Sequence, residues 1–141
     1  MIALGVDLGE RRIGLAASDP LGLTARAVMT IPHVSLAQDV ARVGEVARRQ
    51  RAQRIVVGLP LNMDGSVGPA ARRATRFANA LRRNLSVEVV LWDERLSTRE
   101  AQEALALKRG PGRERGDDTD EVAAAVMLQD YLNTQGREQG Q

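Results

Sequence analysis

Carboxylates gather at three places in this 141-residue chain where they could act together on a cation. Asp7 interrupts the apolar run Ile2-Ala3-Leu4-Gly5-Val6-Asp7-Leu8-Gly9, Glu94 follows Asp93 directly after the run ending at Trp92, and Asp117-Asp118-Thr119-Asp120-Glu121 lies further on. Burying a lone carboxylate in a strand costs several kcal/mol unless it is paired or holds a cation, so Asp7 asks for a partner. Gly5, Gly9 and Gly14 around it would let a ligand or a second backbone approach. Oxygen donors without cysteine or a nearby histidine favour Mg²⁺ or Mn²⁺. Two such ions ~3.5–4 Å apart activate water and stabilise the leaving oxygen in phosphodiester hydrolysis, with Asp7 as the bridge and Glu94 and Asp120 completing the shell.

Each acid also has a purely structural reading. Asp7 fits a solvated position at a strand end before a turn. Glu94 fits an exposed strand-to-helix turn, paired with Arg95 or Arg99. Asp118 and Glu121 have the spacing of a capping box, and acids in a first turn suit the helix dipole. That cap does not need Asp117 and Asp120, which are three apart and can share the side of the turn facing a sheet. Successive strand residues point to opposite faces, so Asp93 and Glu94 cannot both aim at one site if the strand continues through them.

The elements that must position these acids are legible in outline. Ile2–Leu8, Arg12–Ser18 and Ala25–Ile31 read as an antiparallel meander. Leu36, Val40, Val43 and Ala47 recur at helical spacing between Ser35 and Gln50. Arg54–Leu59 is a short continuous apolar strand buried on both faces, hence central and parallel. Ala70, Ala74, Phe77, Ala78, Leu81 and Leu85 line a second helix, whose Arg72, Arg76 and Arg83 fall on another, solvated side. Val87–Trp92 is a last strand, Ser97-Thr98-Arg99-Glu100 opens a third helix to about Leu107, and Lys108–Gly116 is a Gly, Pro and Arg-rich loop. A final helix starts near Asp118 to Asp120. This order predicts an α/β fold with a mixed sheet, in one domain over residues 1–133 with a flexible tail over 134–141. In open sheets, sites form beyond the carboxyl ends of parallel strands, where Asp7, the loop after Leu59 and Glu94 all lie.

Composition narrows the partners. The chain has no cysteine, so thiolate zinc sites and cysteine nucleophiles are excluded, and any metal must be held by oxygen or by His33. Of 20 basic residues only Lys108 is lysine, and arginine is the better fork for phosphate, although a compositional preference for Arg would give the same count. Phe77, Trp92 and Tyr131 are the only aromatics, too few for a base-stacking platform, so a nucleic acid would be held by its backbone. No apolar run approaches the ~20 residues that span a bilayer, and no leader pattern opens the chain, which predicts a cytoplasmic protein without a membrane partner.

Gly5-Val6-Asp7-Leu8-Gly9 with Arg12-Ile13-Gly14, Gly58-Leu59-Pro60-Leu61-Asn62-Met63-Asp64-Gly65, Asp93-Glu94-Arg95-Leu96-Ser97-Thr98, and Asp120 with Ala123-Ala124 and Leu128-Gln129-Asp130-Tyr131-Leu132 together resemble the YqgF/RuvX family of RuvC-like nucleases. The match runs in order along nearly the whole chain. The resemblance implies an RNase H-like fold with five strands, three antiparallel and two parallel. It also implies a metal-dependent nuclease, associated in the family with pre-16S rRNA processing and related to Holliday-junction resolvases. By position, Asp7, Glu94 and Asp120 match the catalytic acids. Asn62, Arg95 and Thr98 fall in family motifs and are expected beside the nucleic acid, with Lys108, Arg109, Arg113 and Arg115 on phosphates. Asp117 resembles the RuvC resolvase pattern and is expected as a fourth ligand.

Two other classes compete. Actin-like and sugar-kinase ATPases share the Asp-x-Gly strand turn but clamp nucleotide between two such domains, and this chain has length for one. A non-catalytic nucleic-acid-binding module would use the Arg-rich helices and the Lys108–Arg115 loop. The expected substrate is precursor rRNA, or branched or single-stranded DNA, bound by a monomer or homodimer.

Overall fold

The computed structural model describes residues 1–96 and 120–139. Strands β1 (Ala3–Leu8), β2 (Arg12–Ser18) and β3 (Ala25–Pro32) form the expected antiparallel meander. Helix α1 (Leu36–Arg49) leads to β4 (Arg54–Leu59), and α2 (Pro69–Asn84) leads to β5 (Glu88–Asp93). Both crossovers return the chain parallel, β4 against β1 and β5 against β4, giving one sheet in the order β3-β2-β1-β4-β5. A 3-10 turn over Glu94–Leu96 closes β5, and α3 (Asp120–Gln139) is the last element. The expected third helix at Ser97–Leu107 and the loop at Lys108–Gly116 lie outside the described residues.

Local chemistry accounts for these boundaries. The Ser35 side chain accepts the Gln38 N–H at 3.2 Å and caps α1, and Pro69 opens α2 where its missing N–H is harmless. Ile55, Val56 and Val57 are wholly buried, as a central strand covered on both faces must be. Helix α3 differs from the sequence reading at its end: it runs past Thr134 to Gln139, where a flexible tail is expected. The Thr134 hydroxyl donates to the Asp130 carbonyl one turn back, and Gln135, Arg137 and Glu138 are good helix formers that outweigh the single Gly136. No described helix is long and apolar enough to cross a membrane.

The sheet's two faces bury different side chains. Leu4, Val6, Ile13, Leu15, Ile55 and Val57 meet Val43, Phe77 and Leu81 under α1 and α2. Ala3, Ala16, Ala25 and Val56 meet Ala124, Met127, Leu128 and Tyr131 of α3 on the other face. Gly5 belongs to this second face, where a Cβ would stand 2.9 Å from Leu128 Cβ and 3.3 Å from the Ala124 carbonyl oxygen. Glycine therefore sets how closely α3 lies on the sheet.

Candidate active site

Strand alternation puts Asp7 on the same face as Ala3 and Gly5, the face that α3 covers. Near the end of β1, Asp7 is half-buried. Its neighbour across β2 is Gly14, whose neighbour across β3 is Thr30. At ~4.8 Å per strand, Thr30 lies about 10 Å from Asp7. The Thr30 hydroxyl accepts the backbone N–H of Glu121 at 3.3 Å, so the amino end of α3, where Asp120 is the first residue, is anchored to this row of the sheet. The positive end of the helix dipole thus meets the acidic edge.

On the other side of Asp7, Glu94 comes from the 3-10 turn after β5. Its side chain folds back across β4: a Cβ on Gly58 would stand 2.3 Å from Glu94 Oε1, 3.1 Å from Cδ and 3.3 Å from Cγ. Only a residue without a side chain leaves that path open. The Glu94 carboxyl reaches hydrogen-bonding contact with Asp7, and its pKa is pushed up to about 8, first by burial, then by the negative charge of Asp7 and the hydrogen bond to it, then by Asp93.

Asp93, one residue earlier, has the opposite fate. It ends β5 in register with Leu59, and Arg95 grips it with Nε at 3.1 Å from Oδ1 and Nη2 at 2.8 Å from Oδ2. The Arg95 backbone N–H adds a bond of 3.0 Å to Oδ1, and the guanidinium holds the Asp93 carboxyl below its usual range. The strand does not continue through both acids: β5 ends at Asp93 and Glu94 opens the 3-10 turn, so the turn, and not strand alternation, sends Glu94 toward Asp7 and leaves Asp93 paired with Arg95.

Beyond Gly58 the loop of residues 60–68 is tied to itself. Asn62 Nδ2 donates to Ser66 Oγ at 2.9 Å, its N–H donates to the Ser66 carbonyl, and Asp64 Oδ1 accepts from both the N–H and the hydroxyl of Ser66. Gly65 sits at φ +88°, a left-handed position suited to glycine. Arg95 Nη1 reaches the Met63 carbonyl at 3.3 Å, which fastens this loop to the end of β5. His33, the one nitrogen available for a metal, is instead paired with the buried Asp39 at the start of α1.

The structure thus joins Asp7 with Glu94 and brings the backbone of Asp120 to the same edge, with Asn62 on the adjoining loop and Arg95 in the turn that carries Glu94. Thr98, Lys108, Arg109, Arg113, Arg115 and Asp117 lie outside the described residues. Among the described residues, no group of three or more His, Cys, Asp and Glu is placed to hold a metal, and Asp7 with Glu94 is the acidic pair they supply. That pair is all-oxygen, half-buried and mutually repulsive when ionised, which suits a hard dication. Three residues have roles here that the sequence did not assign. Gly58 was signalled by a glycine at the end of Ile55-Val56-Val57. Thr30, and Arg73, whose Nη1 donates to the Gly9 carbonyl beside Asp7, carried no signal.

A family model described as RuvX, Holliday junction resolvase, matches residues 1–134. The chain belongs to the RuvX family. Relatives named "Putative pre-16S rRNA nuclease" include one from Anaeromyxobacter dehalogenans strain 2CP-1, 50% identical over 94% of this chain and 97% of its own, and one from Myxococcus xanthus, 44% identical over 94% and 88%. Among solved structures, Thermus thermophilus RuvC superposes with TM-score 0.65 at 15% identity, covering 99% of this chain and 97% of that one. The fowlpox virus Holliday junction resolvase follows with TM-score 0.57 at 15% identity over 95% and 99%. The chain therefore shares the RNase H-like fold of the resolvases and belongs to a family of nucleases.

Proposed function

We propose that this RuvX protein is a divalent-metal-dependent nuclease that hydrolyses phosphodiester bonds in structured nucleic acid, with precursor 16S rRNA as its substrate. The observation that carries this reading is the convergence of Asp7 and Glu94 across the bare α-carbon of Gly58, at the carboxyl ends of the parallel strands. Asp7, Glu94 and Asp120 would hold Mg²⁺ or Mn²⁺, with Asp117 as a fourth ligand. Bound there, a pair of such ions supplies an activated water and charge stabilisation at the leaving oxygen. The chain's own part is to keep two carboxylates together against their repulsion, exclude bulk water beneath α3, and orient the phosphate. Without a cation, the raised pKa of Glu94 means that the pair retains a proton at neutral pH. Lys108, Arg109, Arg113 and Arg115 contact phosphates, with Asn62 and Thr98 beside the substrate.

The rRNA substrate rests on the names of relatives up to 50% identical. The family description favours a second substrate, a four-way DNA junction, whose two-fold symmetry would suit a homodimer. Side-by-side cleavage of precursor rRNA, junction DNA and single strands by wild type and Asp7→Asn, with either metal, decides between them. Cleavage of one substrate by wild type alone identifies it, and equal activity in Asp7→Asn rejects the mechanism. Replacing Arg109, Arg113 and Arg115 together weakens binding and flattens its salt dependence by about three units of slope.

A further inference from the structure

Glu94 occupies an exacting position: it is the first residue after an edge strand, and its carboxylate must lie across Gly58 against the like charge of Asp7. Something must hold the backbone of this turn. Asp93 and Arg95 flank Glu94 and are bound to each other by three contacts between Arg95 side-chain nitrogens and Asp93 oxygens, at 2.8 to 3.2 Å. Asp93 also caps the Arg95 backbone N–H. Both neighbours of Glu94 are thereby pinned, and the fork geometry of a bidentate guanidinium fixes orientation as well as distance. The third arm, Nη1 to the Met63 carbonyl, and the close approach of Gly65, where a Cβ would be 3.4 Å from Nη1, dock the 60–68 loop onto the same guanidinium.

We propose that Asp93 and Arg95 are positioning residues, a brace that holds the Glu94 carboxylate in the site and fixes the 60–68 loop beside it. Arg95 stands in a motif where a phosphate contact is the simple expectation, yet its Nε, Nη1 and Nη2 are all directed at protein oxygens. The role in catalysis rests on the nuclease reading; the mechanical role does not.

Three variants test the brace: Arg95→Ala, Arg95→Lys, which keeps the charge and loses the fork, and Asp93→Asn, which keeps the shape and loses the charge. Each should lower kcat about tenfold to a hundredfold with KM and the salt slope of binding unchanged. Asp93→Asn combined with Arg95→Ala should be no worse than the poorer single variant, because the pair acts as a unit. In protein without substrate, backbone amide exchange at Arg95 and over residues 62–66 should quicken about tenfold in Asp93→Asn and Arg95→Lys. A raised KM and a slope flattened by about one unit in Arg95→Ala, with Arg95→Lys near wild type, would make Arg95 a phosphate contact and overturn the brace. Unchanged exchange in Asp93→Asn and Arg95→Lys would overturn it as well. If wild type cleaves none of the substrates, the nuclease reading fails while the exchange data still decide the brace.

Discussion

Beneath α1 and α2 the sheet presents Leu4, Val6, Ile13, Leu15, Ile55 and Val57, while beneath α3 it presents Ala3, Gly5, Ala16 and Val56, with Asp7 and Gly58 further along the same rows. The first face holds bulk and the second keeps space. Branched side chains under two helices supply most of the apolar burial that stabilises the fold. Small residues under one helix let α3 approach, leave a bare path for Glu94, and admit a carboxylate that an aliphatic layer would reject. Stability and the proposed chemistry thus fall on opposite sides of one sheet, and substitutions should separate them.

The largest separation is expected at Asp7. Asp7→Asn should reduce cleavage at least about a thousandfold, ~4 kcal/mol of barrier, because it removes the carboxylate proposed to hold the cation. Above about pH 8, where Glu94 is ionised, the same change relieves repulsion between the two acids, so in chelator thermal unfolding should there occur at an equal or higher temperature than in wild type. A clear fall in both activity and melting temperature would break the comparison.

This division was partly visible in the sequence. The continuous apolar run of β4 announced burial on both faces, and an aspartate between Val6 and Leu8 asked for a partner, which Glu94 supplies. Strand alternation does not explain why Asp93 and Glu94 part, because the strand ends between them and a 3-10 turn redirects Glu94. What the sequence could not show depends on contacts between distant segments: the Glu94 carboxylate lying over Gly58, the Thr30 hydroxyl catching Glu121, and Arg95 reaching back to Met63. The length of α3 was missed for a different reason, since polarity beyond Thr134 argues against a core but not against a helix.

On the opposite face, Leu81 is fully buried against the aliphatic layer. Leu81→Ala should cost about 2–5 kcal/mol in urea unfolding, and the fraction that remains folded should keep wild-type kcat. A loss of kcat there would mean that the two faces are mechanically coupled through the sheet. Gly58→Ala should do the reverse. The nearest obstacle to its new Cβ is Oε1, at the far end of a flexible side chain, so the fold can adjust while Glu94 is displaced. Activity should fall about a hundredfold with stability within about 1 kcal/mol of wild type. Gly5→Ala lies between these cases, because its Cβ meets Leu128 Cβ and the Ala124 carbonyl, which cannot swing away. It should lift α3, cost about 1–3 kcal/mol, and lower activity through the shifted amino end of that helix.

The last effect is a pH dependence confined to the α3 face. The Glu94 pKa is about 8 in the folded protein, against an ordinary value of 4.5 for the unfolded chain. Between those values the folded state holds a proton that the unfolded state has released, so stability must fall as pH rises through this window. Below pH 4.5 Glu94 is protonated in both states and contributes no slope; above about 8 it is ionised in both, and the repulsion with Asp7 is felt in full. Melting temperatures measured in chelator should therefore decline from pH 5 to pH 8 more steeply in wild type than in Glu94→Gln, where the side chain stays neutral. Divalent cation should flatten the wild-type curve by replacing the proton between the two carboxylates, and leave the variant's curve much less changed. Identical slopes in wild type and Glu94→Gln under chelator would mean that the acids do not press together in solution, and the contrast between a face that holds bulk and a face that holds charge would lose its electrostatic half.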